Sequence, residues 1–146
     1  MQGKTPLAIV IANRIQATRE MLLGITDFAQ RRGPWNIHPL EVGDWRKASW
    51  KWEKWQADGL ILAEDIPAPV ARRIRNTGLP TVLLQVTKDM SLPDFPLADA
   101  PRCFFDSEAC GRLAARTLAR LGHRHFAIVE HTDAPVYWSV ARASAF

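Results

Sequence analysis

Residues 105–129 read FDSEACGRLAARTLARLGHRHFAIV, a stretch that predicts a helix leading directly into a strand. Asp106 or Ser107 can cap the helix, and Glu108 places negative charge in the first turn, where the helix dipole favours it. Gly122 suits the left-handed residue that ends a helix, and residues 126–129 are apolar enough for a buried strand. The helical spacing predicts one buried stripe, formed by Cys110, Leu113, Ala114, Thr117, Leu118 and Leu121.

Apolar runs and helical patterns alternate along the rest of the chain as well. We expect strands at residues 6–12, 35–41, 60–63, 81–84 and 102–105. We expect helices at residues 18–32, 67–76 and from residue 138 onward, and a proline-rich loop without periodicity at residues 91–101. The first helix should turn one face inward, formed by Met21, Leu22, Ile25, Phe28 and Ala29. This alternation predicts an α/β fold with a doubly wound parallel sheet.

Residues 45–55 hold four of the six tryptophans, interleaved with lysine and arginine. A short helix that packs its indole rings on the sheet is the first interpretation, because Ala48, Trp52 and Trp55 share a helical face. Stacking of these rings on nucleic-acid bases or on a sugar ring is the alternative.

Composition limits the class of protein. The 146 residues are 47% hydrophobic and 23% charged, which is typical of a soluble globular chain of about one domain. The longest apolar run, residues 7–12, is far shorter than the roughly 20 residues that cross a bilayer, and no export signal precedes it. Two cysteines give no disulfide framework, so we expect a cytoplasmic protein without membrane contact. The net charge of +4 invites a nucleic-acid partner, but no helix-turn-helix or zinc-finger motif accompanies it.

No motif in the chain predicts catalysis. Residues 12–17 read ANRIQA after the first strand, without the glycines of a dinucleotide-binding loop, and no phosphate loop or G-x-S-x-G elbow occurs. His123 and His125 lack a nearby partner set for a metal, and neighbouring Glu64 and Asp65 would point to opposite faces of a strand. We therefore expect no enzyme activity, no catalytic residue, no metal and no cofactor.

Polar residues follow the expected strands instead. In doubly wound sheets, ligands bind beyond the carboxyl ends of the strands, near the point where the strand order reverses. Carboxylates, amides, an arginine fork and an aromatic face are the groups that bind neutral polyols. The sequence therefore predicts a sugar-binding set of Asn13, Arg14, Asp65, Gln85, Asp106, Trp138 and Arg142.

Several segments carry a resemblance to a known family. Residues 121–129 read LGHRHFAIV and residues 138–146 read WSVARASAF, and they resemble the core signature of lac-repressor-type (LacI/GalR) sugar sensors. Residues 31–35 (RRGPW), 55–61 (WQADGLI), 77–82 (TGLPTV) and 105–106 (FD) are similar to one branch of that family. That branch comprises the xylose-responsive regulators, in which a periplasmic-binding-protein-like sensor precedes an AraC-type DNA-binding domain.

The resemblance implies a type I periplasmic-binding-protein-like fold, with a first lobe at residues 1–122 and the start of a second lobe at residues 123–146. It implies that Arg142 contacts the sugar and that Trp138 covers it. Further contacts to the sugar would come from Asn13, Asp65 and Asp106. Residues 143–145 (ASA) lack the second polar residue that is usual in the family. Most of the second lobe would lie outside these residues, so the 126–129 strand would lack its sheet partners and leave apolar surface exposed.

The resemblance also implies a function. The chain would be the effector-binding portion of a transcriptional regulator of sugar-utilisation genes, with a xylose-like effector. DNA would be bound only through a C-terminal domain absent from this chain, and the full-length form would be a homodimer. A periplasmic-type sugar-binding protein without a regulatory role is the alternative, and it shares the fold.

Overall fold

A computed structural model describes residues 6–12, 16–41, 56–84, 90, 92–129 and 137–146. Its elements are β1 (Leu7–Ala12), α1 (Gln16–Arg32), β2 (Asn36–Glu41), β3 (Gly59–Ala63), α2 (Ala68–Asn76), β4 (Thr81–Leu84), β5 (Arg102–Cys103), α3 (Ser107–Arg120) and α4 (Tyr137–Ala145). The chain divides into two compact units, Met1–Cys103 and Phe104–Phe146, which we call the sheet unit and the helical unit. The predicted helix at residues 45–55 lies outside the described residues.

The sheet unit is built on five parallel strands in the order β2-β1-β3-β4-β5. The predicted α/β class with a parallel sheet is therefore confirmed. From β1 the chain proceeds to β2 on one side, and β3 pairs with β1 on the other side. The strand order thus reverses between β1 and β3, which is the position where open parallel sheets bind their ligands.

Alternate residues of the strands supply the cores on the two faces of the sheet. On one face, Ile9, Leu62 and Leu83 are buried with Ala71 and Ile74 of α2. On the other face, Val10 and Ala63 are buried, with Leu22 and Ile25 of α1 packed against them. Helices α1 and α2 therefore cover opposite faces, as in a doubly wound sheet.

The proline-rich segment contributes to the core, which its sequence did not predict. Phe95 and Leu97 are buried in the same cluster as α2, and so is Met90. Arg75 of α2 holds the segment from outside, because its Nη1 donates to Pro96 O at 2.6 Å and to Asp99 Oδ1 at 2.8 Å. The two buried apolar side chains and the hydrogen bonds from Arg75 hold this segment, although it has no periodic pattern.

Helix α1 buries most of its predicted face, with one exception. Ala29 is buried, and Met21, Leu22 and Ile25 are partly buried, but Phe28 is 51% exposed. The Phe28 ring meets the edge of Trp35 with the centroids 5.7 Å apart, so it packs along the outside of the unit. The prediction for Phe28 was wrong because an exposed aromatic neighbour holds it at the surface.

The ends of α3 follow the sequence. The Asp106 carboxylate accepts a hydrogen bond from Ala109 N at 2.8 Å, which is the predicted N-cap. Glu108 in the first turn accepts from Arg112 at 3.1 Å. Gly122 has a φ of 85°, the left-handed conformation that glycine adopts without a Cβ clash. Both predicted caps are confirmed.

The predicted buried stripe of α3 was wrong. Leu113 is 66% exposed, Leu121 is 69% exposed and Cys110 is also exposed, whereas Ser107 and Gly111 are buried. A Cβ added at Gly111 would lie 2.3 Å from the carbonyl oxygen of Arg142 in α4. Helix α3 therefore turns Gly111 towards α4, because a residue without a Cβ allows the two backbones to approach this closely.

Residues 126–129 do not form the predicted strand. The segment has no regular structure, and Val129 at its end is 95% exposed. Its Phe126 ring meets the Phe146 ring edge-on, with the centroids 5.4 Å apart. No strand pairs with this segment within the described part of the chain, so its backbone groups lack the ladder that a buried strand requires. The expectation of exposed apolar surface here is confirmed.

The remaining boundaries differ only slightly from expectation. Helix α4 begins one residue earlier than predicted, and β5 ends at Cys103, so Phe104 and Phe105 follow it as exposed residues. No described helix is both long enough and apolar enough to cross a membrane.

Candidate functional site

The carboxyl edge of the sheet carries one described residue of the predicted sugar-binding set. Ala12 pairs with Ala63, so β1 and β3 end side by side where the strand order reverses. Asp65 follows two residues after β3 and is exposed at this edge. Asn13, Arg14 and Gln85 lie outside the described residues, so their placement stays a prediction.

Asp106 has a structural role as the N-cap of α3. One of its carboxylate oxygens, Oδ1, accepts the backbone N–H of Ala109 and so satisfies one of the free donors at the start of α3. The side chain is nevertheless exposed, and a carboxylate has a second oxygen that can accept further hydrogen bonds. Its role towards a ligand stays a prediction.

Trp138 and Arg142 are brought together on α4. They are four residues apart, which places them on the same side of a helix. The Arg142 Cζ lies 4.8 Å from the centre of the Trp138 ring. This distance is within the range of a cation–π interaction, which attracts a guanidinium to the negative face of an indole.

The Arg142 side chain also contains the one unsatisfied buried polar atom among the described side chains. Its Nε is buried and makes no hydrogen bond, although the residue as a whole is partly exposed. A buried N–H without a partner costs about 1–3 kcal/mol, so the position favours any acceptor that can reach it. An arginine fork binds two oxygens at once, from a carboxylate, a phosphate or neighbouring hydroxyls.

The backbone at Arg142 is held tightly. Its carbonyl oxygen accepts from Phe146 N at 3.1 Å, and it also faces Gly111 of α3 at the close approach described above. The sequence analysis made no prediction for Gly111, and this contact was missed. A glycine within an otherwise alanine-rich and leucine-rich helix was the signal that could have indicated it.

A concave surface lies in the sheet unit, beside the edge strand β2. Its volume is about 340 Å³. Its lining is mainly apolar and comprises Leu22, Thr26, Ala29, Gln30, Trp35, Ile37 and Pro39. Sequence reasoning did not predict this groove, which residues of α1 and β2 line together with Trp35.

The described residues contain no group of three or more histidine, cysteine, aspartate or glutamate side chains that could hold a metal ion. His123 and His125 are both exposed.

No protein-family model matches this sequence, and no curated protein matches it significantly.

Proposed function

We propose that this chain is the effector-binding portion of a sugar-responsive transcriptional regulator, with a type I periplasmic-binding-protein-like fold and a xylose-like effector. The observation that carries the proposal is the Trp138–Arg142 pair, in which an arginine with a buried, unpartnered Nε lies over an indole ring. The arginine fork can bind neighbouring hydroxyls, and the Trp138 face away from the guanidinium can cover the apolar face of a sugar ring.

The sheet unit supports the same proposal. Its strand order reverses between β1 and β3, and Asp65 follows the carboxyl end of β3. In the sheet unit, Asp65 accepts hydrogen bonds from sugar hydroxyls, and Asn13, Arg14 and Gln85 add polar contacts from the ends of β1 and β4. In the helical unit, the second oxygen of Asp106 can accept a hydrogen bond in the same way. The protein binds its sugar without catalysing a reaction.

The regulatory part of the proposal rests on the sequence resemblance. The protein acts in the cytoplasm as a homodimer and contacts DNA through an AraC-type domain outside these residues.

Ligand-observed NMR tests the proposal, because saturation transfer detects binding even at millimolar affinity. We expect transfer to D-xylose and weaker transfer to D-glucose from the wild-type chain. Arg142→Ala should abolish the transfer, since it removes the fork. Arg116→Ala is the matched control, because it removes an exposed arginine from α3 and should leave the transfer intact.

Two results would overturn the proposal. One is the absence of transfer to every pentose and hexose tested, and the other is transfer that Arg142→Ala leaves unchanged.

A further inference from the structure

Arg142 is held at its backbone and at the tip of its side chain. At its base, the carbonyl oxygen of Arg142 faces Gly111, where even one added methyl group would lie 2.3 Å away. At its tip, the guanidinium lies over the Trp138 ring, with 4.8 Å between Cζ and the ring centre. Both contacts lie within the helical unit.

These restraints act on a side chain that is otherwise flexible. Arginine has many rotamers, and ordering it when a ligand binds weakens affinity by the entropy that is lost. A guanidinium already held over an indole has lost part of that freedom before the ligand arrives, and its planar fork is then presented in a fixed direction. The Trp138 face towards Arg142 is occupied by the guanidinium.

We propose that Trp138 is a positioning residue, which orders the Arg142 guanidinium for a hydroxyl-bearing ligand through its cation–π contact. This inference rests on the proposed sugar-binding function, but it assigns Trp138 a role exerted through Arg142. The Gly111 contact holds the backbone from which this side chain extends, and the Trp138 contact restrains the fork itself.

The contact itself is measured first, without ligand. Protons that lie over an aromatic ring are shifted upfield, so the δ-methylene and Nε protons of Arg142 should resonate upfield of those of an exposed arginine. Trp138→Leu should remove this shift, and Trp138→Phe should retain part of it. Tyr137→Leu is the matched control, because it removes the neighbouring aromatic ring and should leave the Arg142 shift unchanged.

Affinity for D-xylose is measured next, by NMR titration of the same variants. The cation–π contact predicts a loss of roughly threefold to tenfold in Trp138→Leu, a smaller loss in Trp138→Phe and none in Tyr137→Leu. Circular dichroism of each variant checks that its helices are retained.

The outcomes separate the inference from the function on which it rests. Wild-type chain that binds no sugar overturns both. Binding that is present in the wild type and unchanged in Trp138→Leu overturns the positioning role alone. An Arg142 proton shift that does not depend on Trp138 also overturns the positioning role, whatever the affinities are.

Discussion

The two units of this chain bury different kinds of residue. The sheet unit encloses large aliphatic side chains, and Ile9, Leu62 and Ile74 are fully inaccessible to solvent. In the helical unit, by contrast, the buried positions of α3 and α4 are Ser107, Gly111 and Ser139. Burial of apolar area stabilises a fold in proportion to that area, so the sheet unit gains far more from its core than the helical unit does.

The comparison shows that apolar content alone does not decide what is buried. Both units contain leucine, phenylalanine and valine in helices or apolar runs. In the sheet unit, each apolar strand has a paired neighbour and a helix or loop above it. In the helical unit, the apolar segment at residues 126–129 has no strand partner within the described part of the chain, and Val129 is left exposed.

Two leucine-to-alanine substitutions should give the largest difference in the free energy of unfolding between the units. Leu62→Ala should lower the free energy of unfolding by about 3 kcal/mol, because it leaves a cavity in the centre of the sheet core. Leu113→Ala should change it by no more than about 0.5 kcal/mol, because that side chain is mostly in solvent. Urea denaturation followed by circular dichroism measures both, and equal losses would contradict the difference in burial.

Two glycine substitutions test the contact between α3 and α4. Gly111→Ala should destabilise the helical unit by about 1–3 kcal/mol, because the new Cβ meets a backbone oxygen that cannot move alone. Gly24→Ala in α1 is the control. It should raise the free energy of unfolding by about 0.5–1 kcal/mol, because alanine favours the helix over glycine and nothing lies within 4 Å of the added Cβ.

Amide hydrogen exchange locates the effects of these glycine substitutions. Protection should fall along α3 and α4 in Gly111→Ala and should not fall in Gly24→Ala. Stabilisation by Gly111→Ala would show that the two helices are not in close contact in solution.

The smallest expected difference in the free energy of unfolding is between the loss of a helix cap and the loss of a surface ion pair. Asp106→Ala should cost about 1 kcal/mol, because it leaves the Ala109 N–H without its capping oxygen. Asp99→Ala in the sheet unit should cost less than about 0.5 kcal/mol, because its pair with Arg75 is largely exposed and solvent-screened. Thermal unfolding of both variants checks the order, and a larger loss in Asp99→Ala would reverse it.

The strands of the sheet unit and the caps of α3 could be predicted because their signals are local. Residues 7–12, 60–63 and 81–84 are apolar runs of strand length, and each forms a paired strand. Asp106 and Gly122 act through their own backbone neighbours, so no distant residue is needed to recognise them. The buried anchors Phe95 and Leu97 could not be predicted in the same way, because they lie between prolines and have no period.

The candidate site was predictable only in part. Residue types and their order indicated Trp138 and Arg142, and their four-residue spacing on a helix placed them on one side of it. Their mutual contact depends on rotamers, and the burial of the Arg142 Nε depends on the surrounding chain. Spacing along one helix contains no information about either.

The sequence by itself determined the α/β class, the parallel sheet, the capped ends of α3 and the helix that carries Arg142. These features follow from hydrophobic period, run length and capping chemistry, all of which act over a few residues. Only the tertiary structure decided which face of α3 is buried and whether residues 126–129 form a strand. Both depend on partners, since a helix buries the face that its neighbour contacts and a strand exists only where another strand completes its hydrogen bonds.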